Sequence, residues 1–118
     1  RKHHPTIVPT HLKNLLNNYQ EAFNSKNLTK LSDLFSDDIT LKDWDISVHG
    51  KSPVLEANKK IFDSVNTINC KSIKNYYEKD TVICVLKIII NDDEIIDVVD
   101  IIEFNKDQKI SSIRAYKG

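Results

Sequence analysis

The stretch that most constrains the fold is Glu94–Phe104, EIIDVVDIIEF, which has the composition of a buried β-strand but contains two aspartates. Alternate residues of a strand point to opposite faces of the sheet. This period places Asp97 on the same face as Glu103, so that face is expected to be partly exposed to solvent. Asp100 falls in the other row, whose remaining members are all apolar: Ile96, Val98, Ile102 and Phe104.

The position of Asp100 has several physical explanations. Burying an ionised carboxylate without a partner is very unfavourable, and the usual response is a raised pKa. A register break, a buried salt bridge or a bulge that turns Asp100 outward would also account for the pattern. The periodicity of this one strand leaves these alternatives open.

Length and charge limit the class of protein. The 118 residues fit one domain, and a hydrophobic fraction of 40% is enough for one core. The basic and acidic residues balance to a net charge of +0. Proteins that bind nucleic acid usually have a basic excess, so nucleic acid is not predicted as a partner. No apolar run approaches the ~20 residues that span a bilayer, and no membrane association is predicted.

Cysteine and histidine usage indicates compartment and metal content. Two cysteines without disulfide-rich spacing, and no visible secretory signal, are typical of a cytoplasmic protein with reduced thiols. The four histidines lack the spacing of a metal site, and neither a metal nor a cofactor is predicted. Residues 1–9 are expected to be a leader, poorly ordered or packed on the surface, that precedes a single domain over residues 10–118. The two cysteines are Cys70 and Cys84, and the four histidines are His3, His4, His11 and His49.

Two helices are predicted at the start of the domain. Apolar residues at helical spacing predict a first helix from a cap at Thr10 to about Asn24, with Tyr19 in the middle of its apolar stripe. A second, shorter helix is expected to carry Phe35 on its inward face. Ser36–Asp38 are expected to end this second helix.

A strand and a third helix follow. In the predicted strand Ile39–Asp45, alternation places Asp43 on the apolar face and Trp44 on the opposite face. The third helix is predicted to begin with Ser52 as its N-cap and Pro53 as its first residue, where a missing N–H is tolerated.

The rest of the chain predicts strands joined by hairpins. With helices first and strands afterwards, the chain is expected to be α+β, with a curved antiparallel sheet whose concave side is closed by the helices. The outer, convex face also carries much Ile and Val, and exposed apolar surface of this kind marks a partner interface. We therefore predict a homodimer through the convex face. The four strands are predicted over residues 68–78, 82–90, 94–104 and 109–117.

Two segments of the sequence resemble a known family. The segments YQEAFNSKNLTKLSDLFSDDITLKDWD and DVVDIIEFNKDQKISSIRAYKG resemble the two ends of ketosteroid isomerase and SnoaL-like proteins, in the nuclear transport factor 2-like (NTF2-like) superfamily. The resemblance covers about residues 10–118. It implies a cone-shaped fold, in which three N-terminal helices pack on a strongly bent antiparallel sheet and an apolar pocket opens at the wide end.

The resemblance also implies a reaction and the residues for it. In ketosteroid isomerases a carboxylate moves a proton next to a carbonyl, while a tyrosine and a protonated aspartic acid hydrogen-bond the enolate oxygen. Matched to this sequence, Tyr19 and Asp100 take the places of the two donors and Asp43 that of the base. The ligand expected from this is a small apolar carbonyl compound. Further pocket residues are expected to be Phe35, Asn58, Phe62 and Ile102.

The sequence departs from the family pattern at three places. Phe35 and Asn58 stand where supporting tyrosines are often found, and Trp44 replaces the proline that often follows the base. These departures put steroid isomerisation itself in doubt. A ligand-binding or dimeric scaffold module without turnover remains the alternative, and the superfamily also contains polyketide-cyclase-like and hydroxylase-like activities.

Overall fold

The computed structural model describes residues 10–118, which form three helices and six strands. The predicted leader, residues 1–9, lies outside the described residues. None of the three helices described has the length and apolarity needed to cross a bilayer. The helices are α1 (Thr10–Asn24), α2 (Leu28–Leu34) and α3 (Lys51–Asp63), and the strands are β1 (Phe35–Lys42), β2 (Ser47–His49), β3 (Ile68–Glu78), β4 (Thr81–Ile90), β5 (Glu94–Phe104) and β6 (Ile110–Lys117).

The strands form one curved, open sheet in the order β2-β1-β6-β5-β4-β3. This arrangement confirms the α+β, NTF2-like fold that the sequence predicts. Within the described chain the sheet is mixed, because β1 pairs with β6 in parallel while the other four neighbouring pairs are antiparallel. The parallel pair joins the beginning of the domain to its end, and no local hairpin signal in the sequence reports such a pairing.

The core lies between the concave face of the sheet and the helices. The side chains of α1 and α3 that face the sheet recur at helical spacing, as expected for amphipathic helices. The side chains of β5 alternate between the two faces of the sheet: Val98, Asp100, Ile102 and Phe104 are buried, and Asp97 is exposed. The largest fully buried side chains are Leu12, Leu16, Leu31, Phe35, Ile39, Val54, Val82, Cys84, Ile102 and Ile110.

The boundary between α2 and β1 differs from the prediction. The helix ends at Leu34, and Phe35 already has extended dihedrals of φ −88° and ψ 142°. Ser36–Asp38 therefore belong to β1 rather than to the end of a helix. The reason is the pairing of Phe35 with Ile110 of β6, a contact between residues far apart in the sequence.

The start of α3 also differs from the prediction. Its N-cap is Gly50, with φ +99°, and Ser52 and Pro53 lie within the first turn rather than at the cap and the first position. A positive φ favours glycine because it has no Cβ. Gly50 donates its N–H to the carbonyl of Ile39 (2.7 Å) and accepts from the N–H of Val54 (3.0 Å), so this residue ties the helix to β1.

Lys26 links the ends of two helices. It follows the last turn of α1 with φ +55°, and its ammonium group donates hydrogen bonds to the carbonyls of Phe62 (3.0 Å), Val65 (2.7 Å) and Asn66 (3.0 Å). These carbonyls lie at and beyond the end of α3, where a helix presents partial negative charge. One cation therefore satisfies three acceptors and fixes α3 against α1.

Replacing this cation tests its contribution to stability. Lys26→Met keeps the length of the side chain but removes all three donors, and we expect it to lower the free energy of unfolding by about 1–3 kcal/mol. Chemical denaturation is the measurement. Lys13→Met, the same change at an exposed position of α1, is the control and should have little effect. Equal stability of the two variants would contradict this role.

Candidate functional site

Tyr19 lies on the buried side of α1 and faces the sheet. Its side chain is 8% exposed, and its ring packs at centroid distances of 6.3 Å from Phe23 and 6.4 Å from Phe35. Burial, followed by the charge of Asp100, raises the pKa of Tyr19 well above its usual value. The phenol is therefore a neutral hydrogen-bond donor at physiological pH.

Asp100 is buried in the middle of β5. It lies directly between Cys84 of β4 and Ala115 of β6, in continuous ladders on both sides. The only register shift between β5 and β6 lies at Glu103 and Phe104, so no bulge turns Asp100 outward. Within residues 10–118 the carboxylate has no salt-bridge partner. Of the explanations left open by the sequence, burial of the acid is the one that the structure shows.

Burial changes the protonation of Asp100. Desolvation raises the pKa of this carboxyl group from its ordinary 3.8 to about 7, and the nearby charge of Asp43 contributes in the same direction. The causes are physical and of the expected sign, because both a dry environment and a second negative charge disfavour the ionised form. Asp100 can therefore serve as a neutral acid at and below about pH 7.

Asp43 lies just beyond the end of β1, in a tight turn. Its Oδ1 accepts hydrogen bonds from the N–H groups of Asp45 and Ile46, each at 2.7 Å, and its own N–H donates to the carbonyl of Ile46 (2.8 Å). No hydrogen bond to Oδ2 is found within residues 10–118. Backbone donors of this kind stabilise an ionised carboxylate. The turn therefore holds this carboxyl group in a fixed position, with no hydrogen bond to Oδ2 from the described residues.

These three residues line one cavity of about 220 Å³, at the concave side of the sheet. Asn58 of α3 also lines it, and its Nδ2 donates to the carbonyl of Val54 (2.9 Å), which fixes the amide. The remaining wall is mostly aliphatic. The apolar residues of the wall include Phe23, Leu41, Ile46, Ile61, Ile68, Ile88, Ile90, Ile96, Ile113 and Ala115.

Three residues expected in the pocket are not on the wall of this cavity. Phe35 and Ile102 are 1% exposed and Phe62 is 5% exposed, and all three belong to the core cluster. Phe35 is displaced because it begins β1 instead of facing inward from α2. It lies behind Tyr19 and supports the phenol ring through packing rather than through a hydrogen bond.

Trp44 is placed differently from the prediction. Alternation along a strand would put it on the face opposite Asp43, but β1 ends at Lys42 and the turn brings Trp44 and Asp45 to the same cavity. The Trp44 ring is 42% exposed, and the ammonium of Lys117 lies 5.9 Å from its centroid. These residues therefore form an exposed rim at the cavity.

A polar cluster beside Asp100 was not identified from the sequence. Gln20 donates from Nε2 to Ser72 Oγ (2.7 Å) and to Cys84 Sγ (3.4 Å), and Ser72 Oγ lies 3.3 Å from Cys84 Sγ. The amide of Gln20 and the hydroxyl of Ser72 therefore bond to each other and to the sulfur of Cys84, which is a weak acceptor. Alternation in β4 places Cys84 beside Asp100, and this pattern is the sequence signal that indicates part of the cluster. Ser72 was harder to place because β3 has a register shift between Ser72 and Lys74.

The two thiols are neutral and separate. Burial raises the pKa of both Cys70, which lines the cavity, and Cys84. Cys70 pairs with Ile88 and Cys84 pairs with Asn75, so the two cysteines stand four residues apart along the ladder. At about 3.3 Å per residue, this offset exceeds the reach of a disulfide. No group of three metal-ligating side chains occurs within residues 10–118.

The raised pKa of Asp100 makes the stability of the protein depend on pH. The carboxyl group holds its proton up to about pH 7 in the folded state but only up to about pH 3.8 in the unfolded state. The free energy of unfolding therefore falls as the pH rises from about 3.8 to about 7, and it falls no further from this cause above pH 7. Asp100→Asn removes the titration. We compare the free energy of unfolding of Asp100→Asn with that of wild type. We expect this difference to favour the variant by about 2–4 kcal/mol more at pH 8 than at pH 4.5.

The measurement for this prediction is chemical denaturation of both proteins at the two pH values. Asp97→Asn is the matched control, because it makes the same change on the same strand at an exposed residue paired with Lys87 (2.6 Å). The facing groups Tyr19, Cys70 and Cys84 stay protonated throughout this range. A difference between Asp100→Asn and wild type that is independent of pH would refute the assignment.

Several solved structures share this fold. A SnoaL-like protein of unknown function from Burkholderia thailandensis superposes with a TM-score of 0.81 at 12% identity, covering 96% of this chain and 99% of that one. A candidate ketosteroid isomerase from Kribbella flavida gives 0.81 at 12% identity, with coverage of 92% and 78%. A candidate SnoaL-like polyketide cyclase from Shewanella denitrificans gives 0.81 at 13% identity, with coverage of 94% and 92%.

These structural similarities show the fold, and the sequence adds the family. No curated protein matches this sequence. The model of the SnoaL-like domain matches residues 16–113, which include Tyr19, Asp43 and Asp100. The chain therefore belongs to the family of SnoaL-like domains, within the NTF2-like fold.

Proposed function

We propose that the protein binds a small apolar carbonyl compound in this cavity and moves a proton through an enolate intermediate. The observation that carries the proposal is the buried Asp100, which has no salt-bridge partner in the described part of the chain and lies on the wall of a cavity that also holds Tyr19 and Asp43. A buried acid of this kind lowers the stability of the folded protein above pH 4. A functional role for its proton is a reason for such a feature to exist.

The three side chains have distinct roles in this reaction. Asp43, ionised and held by backbone donors, removes a proton from the carbon next to the carbonyl. Tyr19 and neutral Asp100 donate hydrogen bonds to the oxygen as negative charge develops on it. Donors preorganised in a water-poor site contribute roughly 2.7–4 kcal/mol each to transition-state stabilisation. The proton held by Asp43 then returns to the same carbon or to a conjugated one, which restores the base.

The titration of Asp100 determines the expected pH dependence. The donor is present below about pH 7 and is lost above it, while Asp43 must be ionised to act. Activity is therefore expected to fall as the pH rises above about 7. In Asp100→Asn the amide still donates a hydrogen bond but does not titrate, so this fall should disappear.

Isomerisation of cyclohex-3-en-1-one to cyclohex-2-en-1-one, followed by ultraviolet absorbance, tests the reaction. We expect Asp43→Asn to lower kcat by roughly 10²–10⁴ and Tyr19→Phe to lower it by roughly 10²–10³. Asp100→Ala should abolish turnover while the protein stays folded. Asp97→Asn and Tyr76→Phe make matched changes on the convex face and should retain activity. Wild-type turnover by Asp100→Ala would rule out the proposed role.

A binding module without turnover is the second candidate. It is favoured by the hydrogen bonds that Asp43 makes to the backbone of its own turn, because these give the acid a structural role that needs no substrate. Under this reading the same ligands would bind, but Asp43→Asn would affect stability rather than any reaction. Absence of catalysed isomerisation together with saturable binding would favour the module.

We also propose that the protein forms a homodimer through the convex face. Four large hydrophobic residues, Ile73, Tyr76, Ile95 and Tyr116, are 50–59% exposed there. Two pairs of charged side chains on this face offset each other, Lys87 with Asp97 and Arg114 with Glu103, and the ammonium of Lys74 lies 5.4 Å from the centroid of the Tyr76 ring. Strands β3–β6 provide a face of roughly 19 Å by 30 Å, or about 570 Å², which is close to the lower limit of about 600 Å² per partner for a standard interface.

Sedimentation analysis tests the dimer. Ile95→Glu places a charge on the apolar surface at its most exposed large hydrophobic residue, and we expect it to shift the protein from dimer to monomer. Asn17→Glu, on the exposed side of α1, adds the same charge away from the convex face and should leave the mass unchanged. A wild-type protein that sediments as a monomer at all concentrations would disprove the proposal.

A further inference from the structure

The volume of the cavity limits the size of its ligand. A dry protein cavity of about 150 Å³ holds benzene, so a volume of 220 Å³ corresponds to about nine non-hydrogen atoms. Pockets for drug-sized ligands are larger, from about 300 Å³ upward. A four-ring steroid does not fit within this volume, whereas a single substituted ring does.

The charges around the cavity limit the charge of its ligand. Asp43, Asp45 and Asp100 line the cavity, and no lysine or arginine within residues 10–118 lies on its wall. Lys117 lies over the Trp44 ring at the rim, with its ammonium 5.9 Å from the ring centroid. A carboxylate or phosphate on the ligand would approach the carboxylates of Asp43 and Asp45 in a partly dry space, and the repulsion between like charges there is unfavourable.

The wall chemistry limits the number of polar groups on the ligand. Seven isoleucines line the cavity and offer only dispersion contacts. The inner polar groups are Tyr19, Asn58 and Asp100, while Asp43 and Asp45 come from the turn after β1. Burial of an unpaired polar group is unfavourable, so a ligand with one carbonyl oxygen at the inner donors matches this wall.

From the volume of the cavity, the charges around it and the residues of its wall, we infer that the ligand is an uncharged, single-ring carbonyl compound of about nine non-hydrogen atoms. The inference rests on the proposed function for the carbonyl group, but its limits on size and charge come from the cavity alone. It separates this protein from enzymes that act on four-ring substrates, and from those whose substrates carry an anionic handle.

Three probes test the inference directly. The amide 3-oxocyclopentanecarboxamide and the anion 3-oxocyclopentanecarboxylate have the same number of non-hydrogen atoms and differ in charge, and androst-4-ene-3,17-dione is uncharged but far larger. Binding is measured by calorimetry and by NMR chemical-shift changes of the cavity residues at pH 7. We expect saturable binding of the amide, at least tenfold weaker binding of the carboxylate, and no competition by the steroid.

A charge variant identifies the origin of the discrimination. Asp45→Asn removes one rim carboxylate and should narrow the affinity gap between amide and carboxylate several-fold. Asp107→Asn makes the same change in the exposed β5–β6 turn and should leave the gap unchanged. The inference is overturned if the carboxylate binds as tightly as the amide, if the steroid competes, or if the amide does not bind.

Exchange of the α-protons of the amide in D₂O separates this inference from the proposed function. Selective binding of the amide without catalysed exchange would refute proton transfer and leave the ligand class intact. Catalysed exchange of the steroid together with tight steroid binding would refute the ligand class and support proton transfer.

Discussion

The burial of one carboxyl group, that of Asp100, is the constraint on which the site depends. The strict alternation of β5 gives this residue no outward orientation, because turning it would move Val98 and Ile102 into solvent. The ladders with β4 and β6 then fix it from both sides. The sheet therefore determines the environment of Asp100, and its raised pKa is a consequence first of burial and second of the nearby charge of Asp43.

The sequence was informative wherever a local period determined the structure. Spacing within one element predicts the buried row of β5, the apolar stripe of α1 with Tyr19, and the four hairpin-linked strands β3–β6. Prediction failed where contacts distant in sequence decided the outcome. Phe35 pairs with Ile110 and becomes a strand residue, and this single change removes it from the pocket to the support of the Tyr19 ring.

The position of Asp43 shows how a correct face can be predicted for an incorrect reason. The alternation that placed it inward does not extend beyond Lys42. Hydrogen bonds from Asp45 and Ile46 to its side chain make a turn instead, and the turn brings Trp44 to the cavity as well. The predicted strand was extended beyond its actual end at Lys42, and this error placed Trp44 on the wrong face. Asp43 lies at the cavity because of the hydrogen bonds of its own turn.

The surroundings of the two acids explain how they can differ in charge within one cavity. Asp43 receives two backbone donors at the half-buried edge, whereas the donors of Gln20 and Ser72, in the cluster beside Asp100, are directed to each other and to the sulfur of Cys84. Hydrogen bonds favour the ionised form of a carboxylate, and their diversion favours the neutral form. Because Asp43 also acts on Asp100 through its charge, ionisation of the first strengthens retention of the proton by the second. The pair is therefore asymmetric through the local fold alone, before any ligand enters.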